Sequence, residues 1–584
     1  MSFRFWAPFA GSSVTLLLDG RSHAMQPAGD GWWEADLDAP PGARYAFAID
    51  AGEPRADPRA LSLPDGPDAA AAVVDREQLA ATSVPWGGVE LPGSVIYELH
   101  VGTFTPDGTL DAAIERLDHL VELGVGIVEV MPLASFPGRH GWGYDGVGLY
   151  AVHEPYGGPF AFRRFVDACH ARGLGVCLDV VYNHLGPSGN HLAEFGPYFT
   201  DRYDTPWGQA VNLDGAGSDE VRRFIIDNAL MWLRDFHVDG LRLDAVHALF
   251  DTRALTLLEE LADEVASLSR EVGRPLWLIA ESERNDPRTV SGREAGGLGL
   301  DAQWADDVHH ALHVRLTGET QGYYADFAAP GALPKVLEGV FFHDGTYSAF
   351  REQTHGRPLD RTAMPGFRFV VSLQTHDQVG NRAQGDRLSS GLSPGLLACG
   401  AALLLTGAGT PMVFMGEEWG ASTPWMFFTD HTDPAIADAV RRGRREEFAG
   451  HGWSASDVPD PQAPETFERS RLDWDEPGRE PHARLVAWYG DLIRLRRKRS
   501  DLRDPRLDLV HVDDDAEAQT VVVHRGDHLV VVNLASEPRV VRPAIGTDEL
   551  RIVLAWDPRD AVADGEVVLR GQSAAVLERV APRS

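Results

Sequence analysis

Lysine is almost missing from this sequence. Lys335 and Lys498 are the only two in 584 residues, and arginine supplies the rest of the 53 basic side chains. A phosphate-binding loop with a lysine after a glycine-rich turn is therefore excluded. Schiff-base chemistry would depend on Lys335, which lies in ALPKVLEG, a stretch predicted to be a loop. Lys498 belongs to RLRRKRS, which is predicted to be the solvated end of a helix.

Cysteine and long apolar runs are scarce as well. Cys169, Cys177 and Cys399 lie in apolar stretches, and their spacing fits neither a zinc site nor a disulfide framework. This pattern favours a cytoplasmic location. No run reaches the 18 or so apolar residues that a membrane span needs, and MSFRFWAPFA at the start lacks a signal-peptide pattern. A formal net charge of −34 argues against nucleic acid or an anionic membrane as partner.

The sequence divides into three regions that differ in the pattern of their apolar and turn residues. Residues 1–90 contain short strand-like pieces (SVTLLLDG, WWEADL, ARYAFAID) between turn residues, which predict an N-terminal β-sandwich. Residues 91–502 alternate strand-length apolar runs with amphipathic helical stretches. Residues 503–584 return to β texture and predict a small C-terminal β domain.

The central region contains eight strand-length runs, and helical stretches such as LDAAIERLDHLVEL lie between them. This alternation predicts the α/β class and a closed (β/α)8 TIM barrel, with a last helix over residues 482–497. The eight runs span 95–104, 126–133, 175–184, 240–247, 276–282, 300–307, 367–377 and 410–418.

Polar residues gather at the ends of these runs, where barrel enzymes place their functional groups. A single acid at a strand end is more often a helix cap than a catalyst. Acids on the fourth, fifth and seventh runs together are much harder to obtain by accident. The residues are Asp179, Asn183 and His184 on the third run, Arg242 and Asp244 on the fourth, Glu281 on the fifth, and His376 and Asp377 on the seventh.

Several carboxylates without a cofactor suit the cleavage of a glycosidic bond. In GLRLDAVH (240–247), Arg242 and Asp244 share one strand face, so the arginine would keep the Asp244 carboxylate ionised for attack. Glu281 ends an apolar strand, where desolvation would raise its pKa and suit a general acid. A separation of about 5–5.5 Å between these carboxyl groups would give retention of anomeric configuration.

Four segments resemble the conserved regions of the α-amylase family (glycoside hydrolase family 13), in that family's order: DVVYNH, GLRLDAVH, the Glu281 strand and THD. VNLD (211–214) is similar to an additional region of that family. The resemblance implies that Asp244 is the nucleophile, Glu281 the acid/base and Asp377 the transition-state stabiliser. Thr375 departs from the asparagine that many members have before His-Asp.

The resemblance also implies a set of substrate-binding residues around the cleaved bond. His184 and His376 would bind sugar hydroxyls as neutral donors, and Trp142 and Trp207 lie in loops where stacking on a sugar ring is plausible. Tyr144 would be an aromatic platform under the sugar. The other predicted binding residues are Asp145, His184, Arg242, His247, His376 and the loop residue Trp207.

Longer stretches are more specific. FRFWAP resembles the N-terminal domain of isoamylases, branching enzymes and maltooligosyltrehalose trehalohydrolases. AESERNDPR (280–288), QTHDQVGNRAQGDRL (374–388) and MGEEWGASTPWMFFTDH (415–431) are most similar to the trehalohydrolases. The resemblance implies cleavage of the α-1,4 bond next to a terminal trehalose, with maltooligosyltrehalose and maltooligosaccharides as partners. Glu283-Arg284 stands where typical members have Asp-Leu, and Glu283, Asp286, Trp419 and Trp425 are candidates for recognising the leaving group, although packing or capping is the simpler explanation for each.

Two alternatives stay open, a 1,4-α-glucan branching enzyme with the same catalytic trio and a non-catalytic glucan-binding barrel. No cofactor and no essential metal is expected. His309 and His313 in VHHALH lie four residues apart without the acid of a zinc-protease motif, which favours a structural or sugar-contacting role. Asn183 matches a calcium-binding asparagine of many amylases, but the excursion over 185–217 is short for a calcium-holding domain.

Overall fold

The protein is built around a closed parallel barrel. A computed structural model describes residues 2–81, 84–449, 458–544 and 549–580. Neighbouring barrel strands follow the order of the chain, which confirms the predicted (β/α)8 fold. Barrel strands 1 to 8 are Ile96–Leu99, Ile127–Val130, Gly175–Val180, Gly240–Leu243, Trp277–Ala280, Ala302–Trp304, Phe369–Ser372 and Thr410–Phe414.

Alternation along the strands separates an apolar layer from a polar layer. Ile96, Ile127, Cys177 and Ile279 belong to one buried cluster contributed by the barrel strands. Two residues further along each of these strands, on the same face, the chain carries an acid. These acids are Glu98, Glu129, Asp179 and Glu281. The barrel interior therefore changes from apolar to acidic toward the C-terminal ends of its strands.

Helices surround the barrel and bury one apolar face each. Leu257–Val272 is an example. It begins with a capping box between Thr256 and Glu259 and ends at Gly273 in the left-handed conformation. The other long helices are Gly158–Ala171, Ser218–Arg234, Asp306–Thr317, Pro394–Leu405, Pro434–Ala449 and His482–Lys498.

The first and fifth βα units differ from the predicted pattern. The run over 95–104 is a strand only to Leu99, and Val101–Phe104 forms a helical turn. LDAAIERLDHLVEL forms two helices, Leu110–Ile114 and Leu117–Leu123. Between strands 5 and 6, two 3-10 turns, Pro287–Thr289 and Arg293–Ala295, replace the expected helix.

Lys335 lies on a helix, so its prediction as a loop residue is wrong. The helix is Ala332–Gly339, and Leu333 and Val336 form its buried face. The Lys335 Nζ contacts Asp344 Oδ1 at 2.8 Å. An ion-paired lysine on a helix is a poor candidate for Schiff-base chemistry.

Two β regions flank the barrel. The N-terminal sheets contain Ser2–Trp6, Trp32–Asp36 and Gln26–Gly29 in one layer and Arg21–Ala24, Val14–Leu18, Arg44–Ile49 and Ala71–Ala72 in the other. The C-terminal sheets contain Val510–Asp515, Thr520–Arg525, His528–Asn533, Ser573–Val580 and Glu549–Ala555, and Arg539–Val541, Glu566–Leu569 and Ala561–Ala563. The domain limits at residues 90 and 502 stay predictions. Among the described helices, none is long and apolar enough to cross a membrane.

Three hairpins lie in the loops that follow barrel strands 2, 3 and 6, at the end of the barrel where the acids lie. They pair Ala134–Ser135 with Gly148–Val152, Phe199–Thr205 with Gly208–Val211, and Thr346–Ser348 with Gln353–His355.

The first prediction concerns the packing of the barrel. A Cβ added at Gly240 would lie 1.9 Å from Cε3 of the buried Trp277. Gly240→Ala should therefore lower the free energy of unfolding by about 1–3 kcal/mol, measured by urea denaturation. Gly391→Ala is the control, because no atom lies within 4 Å of its added Cβ. An unchanged midpoint for Gly240→Ala would contradict this packing.

Candidate active site

Arg242 is the centre of the acidic layer. Its guanidinium is completely buried, and three carboxylates from neighbouring strands surround it. Nη1 donates to both Asp179 oxygens at 2.9 Å and to Asp244 Oδ1 at 2.8 Å. Nη2 lies 3.0 Å from Glu281 Oε2. Burial alone would lower the pKa of Arg242, but the surrounding acids hold it well above its usual value.

Glu281 lies at the end of strand 5 with a raised pKa. Burial is the main cause, and the Asp244 carboxylate adds to it, whereas Arg242 opposes it. The Ala245 N–H donates to Glu281 Oε2 at 2.7 Å. Ala245 has a φ of 38°, a left-handed conformation that alanine rarely adopts. The strained turn after Asp244 thus points a backbone donor at the Glu281 carboxylate.

Asp244 is fixed through both carboxylate oxygens. Arg242 contacts Oδ1, and the Asn183 amide donates to Oδ2 at 2.7 Å. The same amide donates to the Asp244 carbonyl at 2.9 Å. Asn183 therefore orients Asp244 in this structure. Among the described residues, no group of three or more His, Cys, Asp or Glu side chains is arranged to hold a metal ion.

A second chain of hydrogen bonds joins strands 1, 7 and 3. His376 Nδ1 lies 2.5 Å from Glu98 Oε1, and its Nε2 lies 2.8 Å from the Tyr144 hydroxyl. That hydroxyl donates to Asp179 at 2.7 Å. Burial lowers the pKa of His376, but the carboxylates of Asp377 and Glu98 outweigh it and raise the pKa to about 9. The expectation of a neutral His376 is therefore wrong, because Glu98 faces it from strand 1.

A cavity of about 240 Å³ opens beside Glu281 and Asp377. Its far wall comes from the segment between strands 6 and 7. Tyr323 and Phe350 meet edge to face at 5.9 Å there, and both are more than one third exposed. Arg351 and Glu283 also line the cavity, and Arg351 Nη1 contacts Glu283 Oε2 at 2.8 Å. The cavity thus extends from the carboxylates to an aromatic wall.

The sequence is similar to proteins of a known family. A sequence profile of the alpha-amylase catalytic domain matches residues 74–201. A malto-oligosyltrehalose trehalohydrolase of Arthrobacter ramosus is 55% identical and covers 98% of this chain and 99% of its own. That of Mycobacterium tuberculosis H37Rv is 52% identical and covers 99% of both chains. The chain belongs to the malto-oligosyltrehalose trehalohydrolase family.

A solved structure agrees with this membership. A Salmonella typhimurium protein whose crystal structure is described as an alpha amylase superposes with a TM-score of 0.89 at 38% identity. The match covers 99% of this chain and 97% of that one. The trehalohydrolase-family barrel and both flanking β regions therefore recur in a known structure.

The remaining predicted binding residues of this trehalohydrolase-family protein are His184, Trp207, Asp145 and His247. Trp207, nearly half exposed, stacks on His184 with ring centroids 4.6 Å apart. Burial lowers the pKa of His184, which agrees with a neutral ring. Asp145 Oδ2 lies 3.6 Å from His431 Nε2, and His247 follows Asp244 on a 3-10 turn.

Several sequence candidates have structural roles instead. Trp142 is buried and donates to the Met426 carbonyl at 3.0 Å, so the expected stacking on sugar is not available to it. Trp419 and Trp425 are completely buried. Asp286 caps the turn at Pro287–Thr289.

The histidine pair of VHHALH is also structural. Both ring nitrogens of His309 have partners, the Leu373 carbonyl at 2.7 Å and the Tyr324 hydroxyl at 3.1 Å. His313 Nε2 contacts Glu319 at 2.8 Å. Both nitrogens of His309 and the Nε2 of His313 are therefore engaged within the protein.

Sequence reasoning missed the partners that act across strands. Glu98 carries no motif of its own, although its inward position follows from the alternation on strand 1. Tyr323, Phe350 and Arg351 lie in a long connection without periodicity, and only exposed aromatic residues in such a loop could have indicated them.

The second prediction concerns the charge of His376. Because the pKa of this ring is about 9, it should be protonated at neutral pH and lose its proton only as the pH rises through 9. Glu98→Gln removes a neighbouring carboxylate and should lower this pKa by about one unit or more. The measurement is an NMR titration of labelled histidine, with the resonance assigned by its loss in His376→Gln. Exposed Glu122→Gln is the control, and a ring that titrates normally in the unmodified protein would contradict the ion pair.

Proposed function

We propose that this protein is a retaining glycoside hydrolase that cleaves the α-1,4-glucosidic bond next to the terminal trehalose of maltooligosyltrehalose. Its products are trehalose and a maltooligosaccharide. One observation carries the proposal. The Glu281 carboxyl group shares the Arg242 guanidinium with Asp244, and it also lines the cavity. This position supports Glu281 as the proton donor, between the Asp244 carboxylate and a space for a departing sugar.

The first step forms a covalent intermediate. An Asp244 oxygen attacks the anomeric carbon while the bond to the leaving oxygen breaks, and Glu281 gives its proton to that oxygen. Arg242 and Asn183 orient the Asp244 carboxylate through hydrogen bonds to both of its oxygens. The raised pKa of Glu281 supports a protonated group at the start of this step.

The second step releases the maltooligosaccharide. Glu281, now ionised, takes a proton from a water molecule whose oxygen attacks the anomeric carbon, and the bond to Asp244 breaks. Glu281 is again protonated and Asp244 is again a carboxylate. Two inversions at one carbon give net retention of configuration.

The remaining site residues bind the sugar at the cleaved bond. Asp377 accepts hydrogen bonds from its hydroxyl groups, and the charged His376 ring faces that carboxylate, with Nε2 3.6 Å from Asp377 Oδ2. Tyr144 stacks on His376 with centroids 5.1 Å apart and supplies an aromatic surface. His184, Trp207, Asp145 and His247 surround this position.

The cavity favours a disaccharide leaving group. Tyr323 and Phe350 offer apolar faces to sugar rings, while Glu283 and Arg351 offer an acceptor and donors for hydroxyl groups. The relatives at 52–55% identity, which are named for trehalose release, support trehalose as that group. Branching enzymes instead transfer the chain to a sugar hydroxyl, and product analysis separates the two reactions.

The third prediction is the product pattern. With maltotriosyltrehalose and a chelator present, the purified protein should release free trehalose, while maltopentaose should be cleaved much more slowly. Chromatography of the products with time measures both rates. New α-1,6 branches on long amylose would move the protein to the branching class. No reaction on any of these substrates would contradict the proposed function.

The fourth prediction tests the nucleophile. Asp244→Ala should reduce kcat by about 10⁴-fold or more, because no covalent intermediate can form. Binding of maltotriosyltrehalose, measured by calorimetry, should stay within about threefold. Near-normal turnover in this variant would contradict the mechanism.

Azide separates the two carboxylates by stereochemistry. With an activated maltooligoside, azide should give Asp244→Ala a β-glycosyl azide, because one inversion occurs in the emptied space. In Glu281→Ala the covalent intermediate still forms, so the azide product should have the α configuration. The same anomer from both variants would contradict the assigned roles.

A further inference from the structure

One face of a barrel helix lines the cavity with polar groups that have no role in the steps above. The helix Asp306–Thr317 follows strand 6 and begins at the cavity. Asp306 and His310 are four residues apart, so they lie one above the other on the same face. Both residues are half-buried and line the cavity together with Glu281.

These two side chains are polar and largely unpartnered. Asp306 Oδ1 accepts one long hydrogen bond, 3.3 Å from Gln378 Nε2. Its other oxygen and the His310 Nε2 have no hydrogen-bond partner within the described parts of the chain, yet neither is among the solvent-inaccessible polar atoms. Their neighbour Asp307, by contrast, accepts from Asn285 and from two backbone N–H groups. Asp306 and His310 can therefore still form hydrogen bonds to a molecule in the cavity, whereas Asp307 is already satisfied within the protein.

The surroundings favour the neutral form of both groups. Burial raises the pKa of Asp306 to about 7, and the carboxylates of Glu281, Asp377, Asp307 and Glu283 add to this shift. Burial also lowers the pKa of His310 to about 3, with Arg351 and two histidines contributing. The neutral forms of an acid and an imidazole suit the hydroxyl groups of an uncharged sugar.

We propose that Asp306 and His310 are specificity-determining residues that hydrogen-bond the hydroxyl groups of the leaving disaccharide. This inference rests on the proposed function, since it assigns residues to the leaving-group side of the same site. The helix face would complete the cavity as a polar floor beside the aromatic wall, since the His310 ring lies 4.8 Å from that of Tyr323 between centroids.

Product inhibition tests the inference directly. Trehalose, as the released product, should compete by occupying the leaving-group side, whereas maltotriose should compete on the other side of the cleaved bond. Asp306→Ala and His310→Ala should each raise the inhibition constant of trehalose at least tenfold and leave that of maltotriose unchanged. Asp306→Asn keeps a neutral donor and acceptor and should stay within about threefold of the unmodified protein.

His313→Gln is the matched control, because His313 lies on the same helix but contacts Glu319 outside this cavity. Unchanged trehalose inhibition in both alanine variants, or an equal rise for trehalose and maltotriose, would overturn the assignment. Failure of the unmodified protein to release trehalose or to be inhibited by it would instead overturn the proposed function. The two failures are therefore distinguishable.

Discussion

A single buried guanidinium determines how the site is organised. Arg242 on strand 4 faces Asp179 on strand 3 and Glu281 on strand 5, and it also contacts Asp244 on its own strand. Carboxylates at such depth would be very unfavourable without a fixed positive charge among them. The register of three adjacent strands is thus tied to one ion cluster. The buried positive charge of Arg242 thus both stabilises the barrel interior and contacts the carboxylates of the proposed reaction.

A second charge balances the opposite side of the barrel mouth. Glu98, His376 and Tyr144 form a hydrogen-bonded chain that ends at Asp179, the partner of Arg242. The two clusters therefore meet at the Asp179 carboxylate, and the Tyr144 hydroxyl has hydrogen-bond partners in both His376 and Asp179. The left-handed Ala245 adds a backbone donor between Asp244 and Glu281, so local strain is retained where the orientation of a carboxylate matters most.

Sequence patterns predicted what depends on periodicity and missed what depends on contact. Eight apolar runs and the acids at their ends follow from alternation, so the barrel and the positions of Asp244 and Glu281 could be predicted. The charge of His376 could not, because it depends on the adjacent Asp377 together with Glu98, which comes from a strand far away in the chain. In VHHALH the pattern drew attention to His309 and His313, yet His310 is the residue that lines the cavity. Choosing among the three requires knowing which helix face packs on the barrel.

The helix missing between strands 5 and 6 has a consequence for how the site is divided. Two 3-10 turns stand there in place of a helix, and the aromatic wall of the cavity comes from the segment between strands 6 and 7. The ion pairs of Arg242 all join residues of strands 3 to 5. Substitutions of the exposed Tyr323 and Phe350 can therefore reshape the leaving-group side of the cavity while the Arg242 cluster stays intact.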